Sequence, residues 1–539
     1  ILEKNPSHLQ SNFHLGTLYS RNKNFVKAQK LLINTIKIKP DFLEAHNNLG
    51  LTYFELNQLE QAAKCFQKAI KINPNYSDTY NNFGMVFMKS GKIDEAKKYY
   101  KKSIEVNSKN FQALHNLGIL NKYLKKFDLA GKLFEDSINI NPKFLPAHIN
   151  LLQLYEASNE DAKLNNAINN VETIFKNIPI VKLYKGKLLY KNQNFIEAIN
   201  SLESINFDDS QLILEETRCS TIAKSYDQLE KNEEAFDYFK KTNDISFQLY
   251  KDNINKNNFL ELIKERKKNI QNIEINKWPL PKTNNQKKEP VFLIGFPRSG
   301  TTLLDTILNS HPSIEVIEEA PIIENIVKIL DNKNNNNFNN LKNINEDQLI
   351  KLKYLYFENR KKFIKDNDNK KTYIDKMPLN IIYVGEILRL FPKAKFILAL
   401  RHPCDCVLSC FMQTFKLNDA MANFLNIEDA ANLYDNIMNL WEKYSNVLSI
   451  DCHTVKYEEI VDDFQKSVNQ ILKFLELPWS ENVLEFYKTA KDRNLINTPS
   501  YDQVIKPIYK KSIGKWKNYE NKMSNAIPIL DPWVKKFGY

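Results

Sequence analysis

The sequence lacks several features that would assign it at once to a common class of protein. No apolar run reaches the length of a membrane-spanning helix, and no stretch has the pattern of a secretory signal. Only 6 of the 539 residues are cysteine, which indicates a reduced chain with free thiols. We therefore expect a soluble, cytoplasmic protein, with an upstream segment left open because the chain begins at Ile1.

Neither the cysteines nor the basic residues indicate a metal or a nucleic acid. Cys404, Cys406 and Cys410 cluster, but their spacing matches no common zinc framework and no second Cys/His pair lies nearby. The formal charge is +12, yet Lys, Asn and Ile are abundant throughout, as in "NKNNNNFNN" at 332–340. No cluster of Lys and Arg is interleaved with aromatic residues. We predict no metal and no nucleic-acid partner.

The first part of the chain repeats every 34 residues. Small residues at two positions let a pair of helices approach closely, a large apolar residue fills the groove between them, and a proline ends the second helix. The pattern resembles the tetratricopeptide repeat, with four units between about 8 and 144 and degenerate ones at 182–205 and 223–241. The positions in register are Gly16, Gly50, Gly84 and Gly118; Ala28, Ala62, Ala96 and Ala130; Leu32, Phe66, Tyr100 and Phe134; and Pro40, Pro74 and Pro142.

A chain of 539 residues is too long for one core, so several domains are expected. We assign 1–248 to an all-α solenoid of repeats, whose concave surface commonly holds a peptide or a protein. Residues 249–290 then form a last helix and a polar linker. Over 291–539, strand-like runs ("VFLIGF", "IEVIEE", "KFILAL", "NVLSI") alternate with helical stretches. This alternation predicts an α/β domain with a mainly parallel sheet.

The stretch "LIGFPRSGTT" at 293–302 looks like a P-loop that has lost its lysine. Gly295 and Gly300 have the spacing of a nucleotide-triphosphate loop, but Thr301 stands at the lysine position. A strand, a tight loop and a helix N-terminus direct backbone N–H groups at one anion, and Ser299 and Thr302 add hydroxyl donors. Phosphoryl transfer from ATP is disfavoured because the lysine and the magnesium ligands are missing. A sulfate ester suits the loop, since a terminal sulfuryl group carries one charge and needs no metal.

Further motifs make this interpretation specific. "PRSGTTLL" and "HPSIEVIEE" resemble the 5′-phosphosulfate loop of sulfotransferases that use 3′-phosphoadenosine 5′-phosphosulfate (PAPS), and "RHPCDCVLSCF" resembles their 3′-phosphate motif. The segments "YIDKMPLNIIYVGEILRLFPKAKFILALR", "VKYEEIV" and "SYDQVIKPIYKKSIGKW" are similar, in this order, to the protein-tyrosine sulfotransferases. The resemblance covers about 291–520 and implies PAPS as co-substrate, a hydroxyl acceptor and no metal.

The resemblance also implies catalytic roles. Glu319 falls on the general base, which takes the proton of the acceptor hydroxyl. Lys376 falls on the lysine that stabilises charge on the bridging oxygen, and Arg298 and Ser500 fall on residues that support the transferring sulfuryl group. Such donors, aimed at developing charge, typically supply the largest catalytic contribution.

Three neighbouring acids bear on these assignments. Glu318 and Glu324 are rivals for the base, and Glu318 should point away from Glu319 if the strand persists to that point. Asp375 is next to Lys376 and would quench its charge by pairing with it.

For the nucleotide, the resemblance implies that Arg401 and Ser409 hold the 3′-phosphate, and that Tyr457 and Lys515 make further contacts. The loop residues Arg298, Ser299, Gly300, Thr301 and Thr302 would hold the 5′ end.

One position departs from the family: Gln413 stands where the protein-tyrosine enzymes have an additional arginine. The 3′-phosphate is then held by fewer charges, or by a nearby lysine such as Lys416. His311 and His402 each precede a proline, and we interpret both as structural.

Two functions from different classes remain. The first is a PAPS-dependent sulfotransferase, similar to bacterial-type fusions with repeats, whose acceptor is a protein tyrosine, a glycan or a small metabolite. The second is a repeat scaffold with an inactive, nucleotide-sensing domain. Intact Arg298, Glu319, Lys376, Arg401 and Ser409 favour the enzyme. A homodimer is left open.

Overall fold

A computed structural model describes residues 1–270, 289–334, 341, 344–364, 371–488, 510 and 512–539. The chain divides into two compact units, Ile1–Asn206 and Phe207–Tyr539. Residue 248, where we expected the repeats to end, therefore lies inside the second unit. None of the helices in the described ranges combines the length and the apolar composition that crossing a bilayer requires.

The first unit is a series of helical pairs, as the repeats predicted. Its helices are α1 Leu9–Arg21, α2 Phe25–Ile38, α3 Leu43–Glu55, α4 Leu59–Ile72, α5 Ser77–Lys89, α6 Ile93–Val106, α7 Phe111–Tyr123, α8 Phe127–Ile140, α9 Leu145–Ala157, α10 Asp161–Ile174, α11 Pro179–Lys191 and α12 Phe195–Glu203. Pro40, Pro74 and Pro142 each stand two residues beyond a helix end, because proline lacks the N–H that would continue the helix.

Each glycine in register is required by the large side chain on the second helix of its pair. A Cβ atom at Gly118 would lie 2.6 Å from Cε1 of Phe134, which is closer than non-bonded carbons approach. The pair α9/α10, which the sequence did not reveal, has Leu152 and Ile168 at these two positions, and both are buried. A larger residue on the first helix is thus matched by a smaller one on the second.

A ladder of polar side chains links the first helices of successive pairs. The amide Nδ2 of Asn82 donates to Oδ1 of Asn47 (3.0 Å), and that of Asn116 donates to Oδ1 of Asn81 (2.9 Å). The next rung is a contact of 3.1 Å between Nδ2 of Asn150 and Nε2 of His115. The rungs recur with the repeat along α3, α5, α7 and α9, and these asparagines together with His115 are defined here as the Asn ladder.

The second unit contains a five-stranded sheet with helices on both faces. Its strands are β1 Val291–Gly295, β2 Ile314–Glu318, β3 Thr372–Lys376, β4 Lys395–Leu400 and β5 Asp451–Lys456. Its helices are α13 Leu212–Gln228, α14 Asn232–Tyr250, α15 Lys256–Asn269, α16 Thr301–Asn309, α17 Ile322–Asn334, α18 Glu346–Lys361, α19 Val384–Leu390, α20 Pro403–Phe411, α21 Ile427–Val447, α22 Tyr457–Asp462, α23 Phe464–Phe474 and α24 Ile527–Phe537. Segments of 3₁₀ helix lie at Asp209–Gln211, Pro378–Tyr383, Met421–Leu425, Glu481–Glu485 and Lys515–Met523.

The strand order is β2-β3-β1-β4-β5, and every pairing among the described strands is parallel, which confirms the predicted sheet. Both faces of β1 are covered: Phe292 and Ile294 pack into one core cluster, Val291 and Leu293 into the other. Two strands differ from the prediction. β3, whose sequence ends in two charges, was not predicted. "NVLSI" lies just before the real β5, whose sequence is largely polar.

The hairpin of α13 and α14 continues the repeat register but packs within the second unit. Ser220 and Phe236 stand 34 residues after Gly186 and Leu202, the glycine and its partner in α11 and α12. The ring of Phe236 stacks on Phe411 at 4.8 Å between centroids. Nδ2 of Asn243 donates to the Phe411 carbonyl (3.0 Å). Since these contacts join α14 to the end of α20, the hairpin belongs with the sheet.

Candidate active site

All five strands deliver a candidate site residue to the same edge of the sheet. Strands that run parallel end on one side, so the residues that follow them meet there. In spatial order the edge presents Glu319, Lys376, the loop 296–300, Arg401 and Tyr457. Four strand spacings of about 4.8 Å give a row about 19 Å long. A row of this length suits an extended ligand, with the acid and the lysine at one end and the arginines towards the other.

The loop after β1 forms a cradle at the start of α16. Gly300 caps the helix with φ of 98°, and a Cβ atom there would lie 2.9 Å from Cδ2 of Tyr457. Among the described residues, no side chain caps the first N–H groups of α16, and the buried hydroxyl of Ser299 has no hydrogen-bond partner. Thr301 and Thr302 are buried beside it. Backbone N–H groups without a capping side chain, together with a hydroxyl that has no partner, provide donors that can bind an anion.

Two arginines adjoin this loop. Nε of Arg298 donates to Oγ of Ser409 (3.0 Å), and Nη1 of Arg401 donates to the Arg298 carbonyl (3.3 Å). The Arg401 guanidinium lies 5.0 Å from the centre of the Tyr457 ring, and its buried Nε has no hydrogen-bond partner in the described part of the chain. The structure therefore brings together four of the residues that the resemblance assigned to the two ends of the nucleotide: Arg298, Ser409, Arg401 and Tyr457.

The segment 512–516 lies against the same cluster. The Tyr457 hydroxyl is 2.8 Å from Oγ of Ser512, and Nη2 of Arg401 donates to the Ser512 carbonyl (2.5 Å). The Asp405 carboxylate accepts from the backbone N–H groups of Gly514 (2.7 Å) and Trp516 (3.0 Å). Neither Ser512 nor Asp405 was predicted from the sequence, although Asp405 lies inside the "RHPCD" motif.

Lys376 and Glu319 form an ion pair at the other end of the row. Nζ of Lys376 donates to Oε1 of Glu319 (2.8 Å), while Oδ2 of Asp305 and Oε1 of Glu318 lie 3.6 and 3.8 Å away. The Lys376 side chain is fully buried, whereas that of Glu319 is 35% exposed. Burial by itself would lower the pKa of Lys376, but the carboxylates of Asp305, Glu319 and Glu318 outweigh burial and raise that pKa.

The backbone at Glu319 explains why two consecutive acids reach one lysine. Glu318 is the register partner of Lys376 across the sheet and shares its face. Glu319 has φ of 46°, so the strand alternation stops at Glu318, and the Glu319 N–H donates to the Lys376 carbonyl (2.8 Å). Because the strand ends at Glu318, the condition under which Glu318 was expected to point away from Glu319 is not met, and both acids approach Lys376. Arg298, with φ of 68°, is likewise left-handed, and such strained backbone clusters at functional sites.

The two other acids are accounted for elsewhere. Glu324 lies on α17 and pairs with Lys328 four residues later (2.6 Å), as surface helix residues do. Asp375 faces away from Lys376: its carboxylate accepts from the Tyr356 hydroxyl (3.1 Å) and from Nδ2 of Asn380 (3.4 Å). Successive strand residues point to opposite faces, so Asp375 does not quench Lys376. Burial raises the pKa of Asp375 to about 7.

The remaining predicted residues have different placements. Ser500 lies outside the described residues. Nζ of Lys515 donates to Oδ2 of Asp227 on α13 (2.6 Å), a partner that the sequence did not indicate. Nε2 of Gln413 donates to the Thr414 carbonyl (3.1 Å), and Lys416 is exposed.

The histidines and cysteines take part in packing. Nε2 of His311 contacts the Pro478 carbonyl (3.0 Å), and the His402 ring stacks on Trp516 at 5.1 Å. Both contacts agree with structural roles. All six cysteines lie in the described part of the chain as free thiols, and burial raises the pKa of Cys404 to about 12. No group of His, Cys, Asp and Glu in the described ranges could hold a metal ion.

Models of two families match parts of this chain. Residues 290–481 match the model of the sulfotransferase family, and residues 43–76, 65–98 and 111–144 match models of the tetratricopeptide repeat. In a solved structure, Pseudomonas aeruginosa pilF, the similarity covers 36% of this chain and 89% of that chain, at 17% identity and a TM-score of 0.33.

Individual relatives match through about half of this chain. A protein of Aquifex aeolicus, named only as uncharacterized, is 30% identical over 256 residues, which are 46% of this chain and 33% of that protein. Protein-tyrosine sulfotransferase 2 of Gallus gallus is 29% identical over 266 residues, which are 46% of this chain and 69% of that protein. Protein-tyrosine sulfotransferase 1 of Homo sapiens is 26% identical over 259 residues, which are 46% of this chain and 69% of that protein.

Proposed function

We propose that the sulfotransferase-family domain of this chain transfers a sulfuryl group from PAPS to a hydroxyl acceptor, and that a protein tyrosine is the acceptor. The observation that carries the proposal is the row of residues along one sheet edge. An anion cradle with two spare buried donors stands beside a carboxylate that is paired with a buried lysine. Relatives named protein-tyrosine sulfotransferases support the choice of acceptor.

The residues present fit the proposed co-substrate. Spare donors at Ser299 and Arg401 and the uncapped start of α16 provide places for two anionic groups. The loop Arg298–Thr302 would hold the 5′-phosphosulfate, while Arg401, Ser409, Tyr457 and Lys515 would hold the rest of the nucleotide. When bound, PAPS supplies the sulfuryl group, and the phosphate to which that group is attached is the leaving group.

Glu319 would act as the general base. Its carboxylate is the exposed member of the pair with Lys376, so an incoming hydroxyl can reach it. The ammonium of Lys376 holds the carboxylate in place, where it can accept the proton of the acceptor hydroxyl. The positive charge of Lys376 also stabilises the negative charge that develops on the bridging oxygen, which links the sulfuryl group to the phosphate. Ser500 remains a proposed contributor on the resemblance alone.

The donor class is tested by calorimetric titration without magnesium. Adenosine 3′,5′-bisphosphate, AMP and ATP are each titrated into the full chain. We expect binding of the bisphosphate only, weakened at least tenfold by Arg401→Ala, which removes a charged contact. Lys361→Ala, which removes an exposed cation on α18, is the control and should leave binding unchanged. Equal binding of all three nucleotides, or no binding at all, would overturn the proposal.

The tetratricopeptide repeats suggest a peptide or protein partner, and we propose that they select the acceptor. Two partly exposed members of the Asn ladder, Asn116 and Asn150, support this, because their amides can bond to the backbone of an extended peptide while the other members of the ladder are buried. Tyrosine-containing peptides would be presented to the full chain and to Asn116→Ala. Loss of binding in the variant, but not in Lys132→Ala on α8, is expected, and equal binding by both would count against the ladder.

We further propose that the reaction takes place in the cytoplasm. All six cysteines are free thiols, as expected for a chain that works in a reducing compartment. Fractionation of cells that express the protein checks this directly.

A further inference from the structure

The carboxylate of Asp227 joins α13 to the candidate nucleotide site. Its Oδ2 accepts from Nζ of Lys515 (2.6 Å) and its Oδ1 accepts from the hydroxyl of Tyr519 (2.8 Å). The Asp227 side chain is only 7% exposed. Asp227 lies well before the sulfotransferase-family match at 290–481, in the hairpin that continues the repeat register. Within the second unit, the hairpin of α13 and α14 thus contacts a lysine that the resemblance assigns to the nucleotide.

The backbone around Lys515 is held independently of its side chain. The N–H groups on either side of it, at Gly514 and Trp516, both donate to Asp405. Ser512 is bound to Arg401 and Tyr457, which belong to the anion cluster. Lys515 is therefore anchored by its main chain beside that cluster, and the ammonium at the end of its side chain bonds to Asp227. In the described part of the chain, Nζ of Lys515 has no hydrogen-bond partner other than Asp227.

We propose that Asp227 is a positioning residue of the nucleotide site, so that the last repeat-register hairpin completes the site of the sulfotransferase domain. The inference rests on the proposed function. An ammonium has three donors, and one bond to Asp227 leaves two for a phosphate. Fixing the flexible lysine in advance spares the entropy that binding would otherwise lose. The side chain remains 32% exposed, so a ligand can reach it.

A competing role for Asp227 would have the opposite effect on nucleotide affinity. A carboxylate near a phosphate repels it, so Asp227 acting as a competitor for Lys515 would weaken nucleotide binding. Removal of the carboxylate would then strengthen binding. A positioning role predicts that removal of the carboxylate weakens nucleotide binding. The direction of the change in affinity decides between the two.

The test is a double-mutant cycle on the full chain, with titration of adenosine 3′,5′-bisphosphate. Asp227→Asn is expected to weaken binding about tenfold, which is the size of one charge-assisted hydrogen bond. Lys515→Met should weaken binding by at least as much. The double variant should bind no more weakly than Lys515→Met alone, because Asp227 acts only through the lysine. An additive loss would show a merely structural role and overturn the proposal, as would tighter or unchanged binding by Asp227→Asn.

Controls separate this inference from its premise. Asp237→Asn changes the same residue type in the same hairpin, where the side chain is 71% exposed and 3.8 Å from Lys522, and it should leave affinity unchanged. If Asp227→Asn lowers the melting temperature, Asp227→Glu replaces it in the cycle. This variant keeps the charge but displaces it by one methylene, and it should likewise weaken binding without adding to the loss in Lys515→Met. No binding by the unchanged protein overturns the proposed function itself, and this inference with it.

Discussion

Lys376 and Glu319 meet at 2.8 Å because the strand alternation stops just before Glu319. One buried ammonium thereby serves two consecutive glutamates from the neighbouring strand end, and Asp305 from the helix that follows the loop. A carboxylate held in this way is fixed in position yet still accessible from solvent. This arrangement underlies the first two predictions below.

Glu319→Gln should slow transfer strongly while leaving the nucleotide site intact. The amide oxygen can still accept from Lys376, but the side chain can no longer take a proton. We expect the turnover rate to fall about 10²- to 10⁴-fold, the usual contribution of a general base. Sulfate transfer from PAPS and bisphosphate titration would be measured together. Glu324→Gln, which alters a surface ion pair on α17, is the control and should keep full activity. Retained activity in Glu319→Gln would exclude Glu319 as the base.

Lys376→Met should destabilise the fold as well as stop the reaction. It removes the cation that three carboxylates share in a buried site, and loss of one partner of a buried ion pair typically costs about 3 kcal/mol or more. Urea unfolding measures the change in the free energy of unfolding. Lys328→Met breaks an exposed pair and should cost less than about 1 kcal/mol. Similar costs for the two variants would contradict the buried network.

Asp375 should make stability depend on pH. In the unfolded chain its carboxyl has the ordinary pKa of 3.8, whereas burial raises the folded pKa to about 7. Between these values the folded protein keeps a proton that the unfolded chain has lost, so this group lowers stability as pH rises through the window. Asp375→Asn should therefore gain stability relative to the unchanged protein from pH 4 to pH 7, by at most about 1.4 kcal/mol per pH unit, and then level off. Urea midpoints at several pH values check this, and a difference that is constant with pH would refute it.

Gly118→Ala should destabilise the first unit. The added methyl would lie 2.6 Å from the buried ring of Phe134, which cannot move without disturbing its core. Overpacking of this kind costs about 1–3 kcal/mol. Gly131→Ala is a matched helical control, because its methyl would meet a single atom, Cδ2 of Leu154 at 3.3 Å, instead of a ring at 2.6 Å, and alanine favours helix. Thermal unfolding of both variants is the measurement, and equal melting temperatures would contradict the packing argument.

Much of the molecule follows from local patterns. The pairing of Gly118 with Phe134 recurs every 34 residues, so the repeats were predicted and are confirmed. The strand–loop–helix at 291–309 and the parallel sheet are confirmed for the same reason: apolar strands, glycines and helix signals lie close together in sequence. Motifs that resemble a known family added the candidate residues at the strand ends.

The tertiary structure alone decided which of these residues touch. Glu318 shares Lys376 with Glu319 because of one left-handed backbone angle, and Asp375 turns to the opposite face. The hairpin of α13 and α14 follows the repeat register, yet it packs within the second unit, and Asp227 bonds to Lys515, which is 288 residues later. The sequence by itself determined the elements and the chemistry available to them, since these depend on neighbouring residues. Contacts between distant residues have no periodic signature, so only packing of the whole chain determines them.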